Sequence, residues 1–342
     1  MSRKRFWQIC NAGLRLFIIM VIHMEIEKEI ERAVRKIAAL DTSPNRKSTE
    51  ELNTFIAQAK AAAIDLTCNF SNTDSLTISK GGKKRFVKRY DQLYSCENIL
   101  SQCIKKILDK TFKIRYPNRS KIIRELFNIV PAIIRMSNFT ILKFDFKNYF
   151  NSISATYVFE KFIRLNISDR FELSLIEDYM YKTRYAYAGL PSSNAIAEIA
   201  GAAFDRAIMK VFQNSGLIYY ARYIDDCVMI LNDHMAQSEL QKLLDHILSD
   251  IFYDTTIDCD KKCKTKYNTS KSSYISTQKL RASPPTICSF DFLGYEFILQ
   301  SCPSPDPQTP KIQIKYGITP AKRKKYSTRI DKLKNSPIAQ CP

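Results

Sequence analysis

Apolar and polar positions change period several times along the chain, and each change predicts an element. Over 25–66 apolar residues recur at three- and four-residue steps, interrupted by Ser43-Pro44-Asn45, which predicts two helices and a loop. From Met24 to Leu40 that helix sets Glu ahead of Lys and Arg, a stabilising order. At 76–90 the pattern becomes strand-like. Leu76-Thr77-Ile78 and Phe86-Val87 flank Gly81-Gly82, a hairpin signal. Helical spacing returns over 91–112 and, past the Pro117-Asn118 break, from Arg119 to Met136. Ile141, Phe144 and Phe146 mark a buried strand within 139–154, followed by helices from about Ala155 to about 182.

Tyr185 to Tyr187 reads as extended, and Gly189-Leu190-Pro191 leads into an Ala-rich helix over 195–212, with Pro191 and Ser192 suited to its first turn. Residues 216–231 read as two strands flanking a turn that carries Asp225 and Asp226. A helix is predicted over 237–252, then a mixed segment rich in Lys, Ser and Thr over 261–283. A strand over 290–297 contains Gly294, the mark of a bulge or a close backbone approach. A Pro/Ser-rich linker (301–310), a short strand (311–316) and a basic helix (320–334) complete the pattern, which contains no internal repeat.

Composition narrows the class. With 342 residues, 45% hydrophobic and 25% charged, the chain is globular and neither disordered, collagenous nor a multi-span membrane protein. The formal net charge of +19 is the unusual quantity, since such a surplus repels itself in a compact state unless a polyanion is near. Nucleic acid is the functional reading, and a lysine-biased proteome the plain one. The ten cysteines show no CxxC spacing, and Cys259 and Cys263 lack a second ligand pair, so reduced thiols in a cytoplasmic protein are expected rather than a zinc site. Arg3-Lys4-Arg5 ahead of an apolar run imitates a signal peptide, but no small-residue cleavage site follows, the run is too short to span a bilayer, and translation could equally start at Met24. No membrane partner is expected.

Two acidic points stand out against this basic background. Asp145 closes an apolar strand, and Asp225-Asp226 sit at the tip of an apolar hairpin about 80 residues on. Adjacent residues of a strand face opposite ways, so one of the pair at most would meet Asp145 directly. Carboxylates sharing a site raise one another's pKa, a penalty that a divalent cation removes. Mg²⁺ accepts a few carboxylates together with substrate phosphates, and two such ions stabilise both oxygens of an in-line phosphoryl displacement. The basic stretch at 80–89, with six Lys or Arg in ten residues, is suited to gripping phosphates or is simply a solvated loop.

Tyr223-Ile224-Asp225-Asp226 resembles the YxDD motif of reverse transcriptases. Phe144-Asp145-Phe146 with Tyr149-Phe150 resembles their first palm motif, Gly189-Leu190-Pro191 their third, and Phe292-Leu293-Gly294-Tyr295 the strand that follows the catalytic hairpin. The four motifs occur in the family's order over about 115–300, and Arg119-Ser-Lys-Ile-Ile-Arg124 looks like the retron-like and unknown-group, defence-associated bacterial members. Ser192-Ser193-Asn194 departs from the Gln or Thr and Gly found there in many relatives.

The resemblance implies a mixed α/β (α+β) right-hand polymerase: an N-terminal helical region (1–66), fingers (67–140), a palm (141–300, with a finger insertion around 155–215), and a linker with a short thumb (301–342). It implies RNA-directed DNA polymerisation from dNTPs on an RNA template and a nucleic-acid primer, in bacterial anti-phage defence. Asp145, Asp225 and Asp226 would be catalytic and, with the Phe146 carbonyl, would hold Mg²⁺ or Mn²⁺. Phe150, Arg119, Arg124, Pro191 and Ser192 would contact the nucleotide, Phe150 acting as a sugar gate or as core packing. Lys83, Lys84, Arg85, Lys88, Arg89, Tyr223, Gly294, Lys322 and Arg323 would contact nucleic acid. A cognate non-coding RNA, a second subunit or a homo-oligomer are compatible partners. A catalytically altered palm-fold binding protein and a template-independent nucleotidyl polymerase are the alternatives.

Overall fold

The computed structural model describes residues 25–44, 46–80, 83–252, 265–282, 286–302 and 311–334, without the side chains of Lys80 and Lys83. The N-terminal run before residue 25 with Met24, the Gly81-Gly82 turn, the Lys83 side chain, Cys259, Cys263 and most of the expected linker lie outside the described residues. The chain is mixed α+β, as its patterning predicts, and divides into two compact units, each assembled from three segments: Met1–Arg115, Asn148–Ala202 and Phe252–Thr265, and Tyr116–Lys147, Ala203–Ile251 and Lys266–Pro342.

The first unit is mainly helical. Helix α1 (25–40) buries Ile26, Ile30, Val34 and Ile37. Helix α2 (Thr49–Ile64) starts on a capping box in which the Ser48 side chain accepts from Glu51 N–H while Glu51 reaches back to Ser48. Strands β1 (Asp74–Lys80) and β2 (Lys83–Arg89) form the expected hairpin, in register from Asp74↔Arg89 to Lys80↔Lys83. Helix α3 (Cys96–Thr111) begins later than the apolar pattern suggests because Ser95 caps it. Short helices α5 (Tyr149–Ser152) and α6 (Ala155–Val158) precede α7 (Arg170–Thr183). Helix α8 (Ser193–Phe212) starts in this unit and ends in the other.

In the second unit, Asn118 caps α4 (Arg119–Ile133) through Lys121 N–H, and the helix buries Ile122, Ile123, Leu126, Val130 and Ile133. The central sheet has the order β4 (Leu217–Tyr223), β5 (Asp226–Leu231), β3 (Thr140–Lys147), with the short β6 (Lys266–Tyr267) and β7 (Ser273–Ser276) both pairing β3; all pairs are antiparallel. β6 and β7 fall in the segment that sequence patterning left mixed, because each is too short to show a period.

Helix α9 (Gln237–Phe252) follows the hairpin, and α10 (Thr277–Arg281) follows β7. The single strand expected over 290–297 is instead a hairpin, β8 (Ile287–Phe292) and β9 (Tyr295–Cys302). It turns at Leu293-Gly294, both at positive φ, the two-residue turn whose twist matches the strands. β10 (Lys311–Ile318) completes this second, three-stranded sheet, and α11 (Pro320–Lys334) buries none of its residues. One core joins α4, the central sheet and β8–β10 around Phe139, Ile141, Val228, Ile230, Phe290, Phe292 and Phe297. No described helix is long and apolar enough to cross a membrane.

Candidate active site

β3 carries Asp145 into a buried position because its neighbours make the strand central and apolar; Thr140 to Phe146 are all buried and Asp145 is 2% exposed. Phe144 and Phe146 pack on the Phe204 ring of α8, at 6.5 and 5.1 Å between centroids. Cross-strand pairing sets the opposite face. Asp145 lies directly across from Asp226, which in turn lies across from Tyr223, so all three share one side of the sheet. Asp225 is in the turn and not on a strand, so strand alternation does not separate it from the others. Phe146 N–H donates to the Asp225 carbonyl at 3.2 Å, which ties the turn to β3.

The electrostatics follow from this crowding. Burial and then the Asp226 charge push the Asp225 carboxyl above its ordinary pKa, with Asp145 adding to the effect. Burial also raises Asp226; Lys143, with Nζ 3.5 Å from Asp226 Oδ1, opposes that rise, and Asp145 reinforces it. Lys271 ion-pairs with Asp145 Oδ2, which raises the lysine pKa. Asp145 Oδ1 is buried and has no hydrogen-bond partner. A buried acceptor of that kind is costly unless something binds it.

These residues fit a hard divalent cation. They offer oxygen ligands only, an unsatisfied one among them, and carboxylates whose mutual repulsion a cation relieves. Among the described residues no three His, Cys, Asp or Glu side chains close into a ready-made cage. An open set suits Mg²⁺, which keeps waters and substrate oxygens in its shell.

Patterning did not single out Lys143 and Lys271. The signal for Lys143 was present, as a lone Lys two residues before Asp145 and therefore on its face of an apolar strand. Lys271 lies in the mixed segment that the β6 and β7 pairings bring to β3, so only tertiary structure reveals it.

The other expected residues fall into separate places. Arg119 and Arg124, at the start of α4, line a cavity of about 410 Å³ with Phe127, Tyr295 and Lys322, all in the second unit. The Arg119 guanidinium donates to the Leu293 carbonyl, and Lys322 Nζ lies 4.1 Å from the Tyr295 ring centroid. Gly294 has φ +78°, which favours glycine at this turn, and the Lys322 side chain packs close to it. Arg323, next to Lys322 in sequence on α11, is exposed.

In the first unit, Lys84, Arg85 and Arg89 are exposed on the β2 strand, and Lys88 Nζ stacks 3.8 Å from the Tyr187 ring centroid. Phe150 is half-buried against Tyr149, whose ring is buried and whose hydroxyl donates to the Ala197 carbonyl at 3.1 Å. Pro191 is half-buried. Ser192 is fully buried, and its hydroxyl bonds Tyr179 and Ser101. That hydroxyl therefore points into the core of its own unit.

No family model matches the sequence, and no curated protein matches it. Solved structures do. Apo telomerase from Candida tropicalis, truncated from its C-terminal domain, is 12% identical over 66% of this chain and 53% of its own, with a TM-score of 0.42. Telomerase from Candida albicans, in complex with a TWJ fragment of telomeric RNA, is 13% identical over 72% and 48%, with a TM-score of 0.44. The C. tropicalis telomerase in the corresponding complex is 12% identical over 70% and 46%, also at 0.44. The chain spans about half the length of these telomerase chains.

Proposed function

We propose that this chain is a metal-dependent nucleotidyl transferase of the reverse-transcriptase kind, extending a primer with dNTPs on an RNA template. One observation carries the reading. Asp145 and Asp226 face each other across paired strands, the Asp225 turn is tied to β3, and Asp145 keeps a buried oxygen without a partner. Bound Mg²⁺ or Mn²⁺ would lower the pKa of the primer 3′-hydroxyl and neutralise charge on the leaving pyrophosphate.

The chain's own residues do the rest. Asp145, Asp225 and Asp226 would hold the cations, together with the Phe146 carbonyl. Lys143 and Lys271 would hold the Asp226 and Asp145 carboxylates in place until a cation takes over. Phe150 would lie against the sugar of the incoming nucleotide. The groove of Arg119, Arg124 and Lys322 beside Tyr295 offers cations and a ring face, the pair of features that holds a nucleic-acid backbone and a stacked base. Exposed Lys84, Arg85 and Arg89 add sequence-independent phosphate contacts. The anti-phage setting belongs to this proposal through the motif resemblance alone.

The experiment is primer extension on RNA and on DNA templates with Mg²⁺ or Mn²⁺. Incorporation is expected from the wild type and absent from Asp145→Asn and Asp225→Asn. Full incorporation by the double variant Asp225→Asn/Asp226→Asn would end the polymerase reading.

A further inference from the structure

The turn that presents Asp225 is strained. Tyr223 pairs Asp226, leaving Ile224 and Asp225 as the two central residues, and only Ile224 has positive φ, at 61°. That is the position where a two-residue hairpin turn of this sense normally carries Gly. A β-branched side chain there is an outlier, and it persists only when its surroundings hold it.

A specific group holds it. Arg222 lies across from Cys227 and so points to the α8 face of the sheet, opposite to Tyr223, Asp226 and Asp145. Its side chain is 4% exposed. Nη1 donates to the Ile224 carbonyl at 3.1 Å, while Nε and Nη2 grip Asp205 of α8 at 2.8 and 3.0 Å. Tyr220 donates its hydroxyl to the same Asp205 carboxylate at 2.8 Å. A planar guanidinium with this fork leaves little freedom to the carbonyl it holds.

We propose that Arg222, anchored by Asp205, is a positioning residue that holds the Ile224 turn in its strained form and so sets the Asp225 carboxylate where it binds a divalent cation. The inference rests on the metal-dependent reading of the carboxylates and adds the device that aims one of them. Lysine in place of Arg222 keeps the charge next to Asp205 but loses the fork that serves the aspartate and the Ile224 carbonyl together. Glycine in place of Ile224 takes positive φ without strain, so the turn no longer needs holding.

The test is Mn²⁺ binding by the full chain, measured by electron paramagnetic resonance alongside thermal denaturation. Wild type is expected to bind Mn²⁺ in a manner lost in Asp145→Asn. Arg222→Lys should weaken that binding about ten-fold, and Arg222→Lys/Ile224→Gly should recover most of it. A role confined to fold stability would lower the melting point without moving Mn²⁺ affinity, and glycine at 224 would restore nothing. Either result overturns the proposal, as does a wild type with no such Mn²⁺ site. If Arg222→Lys does not fold, Asp205→Asn takes its place. That variant keeps the side chain's shape but loosens the anchor, and it is expected to weaken binding about three-fold, with unchanged affinity overturning the proposal. A wild type that binds Mn²⁺ yet incorporates no dNTP would retire the polymerase reading and leave this inference standing.

Discussion

Gly189 offers a sharp test of how the basic hairpin is fixed to its unit. Its φ is +103°, and a Cβ built there would collide with the Lys88 carbonyl oxygen and the Val87 side chain. Next to it, Lys88 N–H donates to the Ala188 carbonyl at 2.8 Å, and the Lys88 ammonium lies over Tyr187. The segment 187–189 is thus a latch for β2, and its glycine permits the approach.

Gly189→Ala combines two costs. A non-glycine residue at positive φ loses ~1–2 kcal/mol. Forcing a methyl against fixed backbone costs a further ~1–3 kcal/mol. Together they reach about 2–5 kcal/mol, which lowers the melting point by roughly 4–10 °C at about 2 °C per kcal/mol for a chain of this size. Gly317→Ala is the control, since nothing lies within 4 Å of the added Cβ and its φ is not positive. Thermal unfolding followed by circular dichroism compares the two variants, and hydrogen exchange reports β1 and β2 separately. The expected outcome is a large loss confined to Gly189→Ala, with faster exchange in the hairpin. Equal melting of the two variants, or unchanged exchange in β2, would refute the latch.

Asp225→Asn should stabilise the metal-free chain at neutral pH while abolishing dNTP incorporation. Burial and the Asp226 charge raise the Asp225 pKa above 3.8 in the folded state, so its ionised form is a penalty above the folded pKa, and that penalty vanishes as pH falls below the unfolded value. Melting curves from pH 8 to pH 3 should therefore converge with wild type at the acid end, and a constant offset would contradict the assignment. Phe150→Ala should raise rNTP relative to dNTP incorporation ten-fold or more, equivalent to ~1.4 kcal/mol of lost discrimination. An unmoved ratio makes the half-buried ring a packing residue. Lys84→Ala/Arg85→Ala should flatten the log–log dependence of nucleic-acid affinity on salt by up to ~2 units through lost counterion release, and an unchanged slope returns the hairpin tip to plain solvation.

Local patterning carried far in this chain. The stretches 140–146 and 217–231, rich in β-branched and aromatic residues, mark strands because polar turn residues bound or interrupt them. The placing of Asp145 at a strand end and of Asp225-Asp226 at a hairpin tip was legible for the same reason. The β8–β9 hairpin has no local turn signal because Leu293-Gly294 lacks the usual Asn or Asp ahead of Gly, and only the paired positive φ values identify its turn.

Other features depend on contacts between distant segments, which carry no local signal. Residues 266–276 become β6 and β7 only because β3 offers them a free edge, and they bring Lys271 to Asp145. Tertiary packing turns the Ser192 hydroxyl to Tyr179 and Ser101, which lie 13 and 91 residues away in sequence. Arg222 is one basic residue among 53 in the sequence, and neither its neighbours nor its spacing reveal that α8 sends Asp205 to meet it. The sequence contained the carboxylates and the strand and turn signals around them. Register, burial and one charged pair beneath the turn give those carboxylates their direction, because strand pairing and desolvation arise only once remote segments share a core.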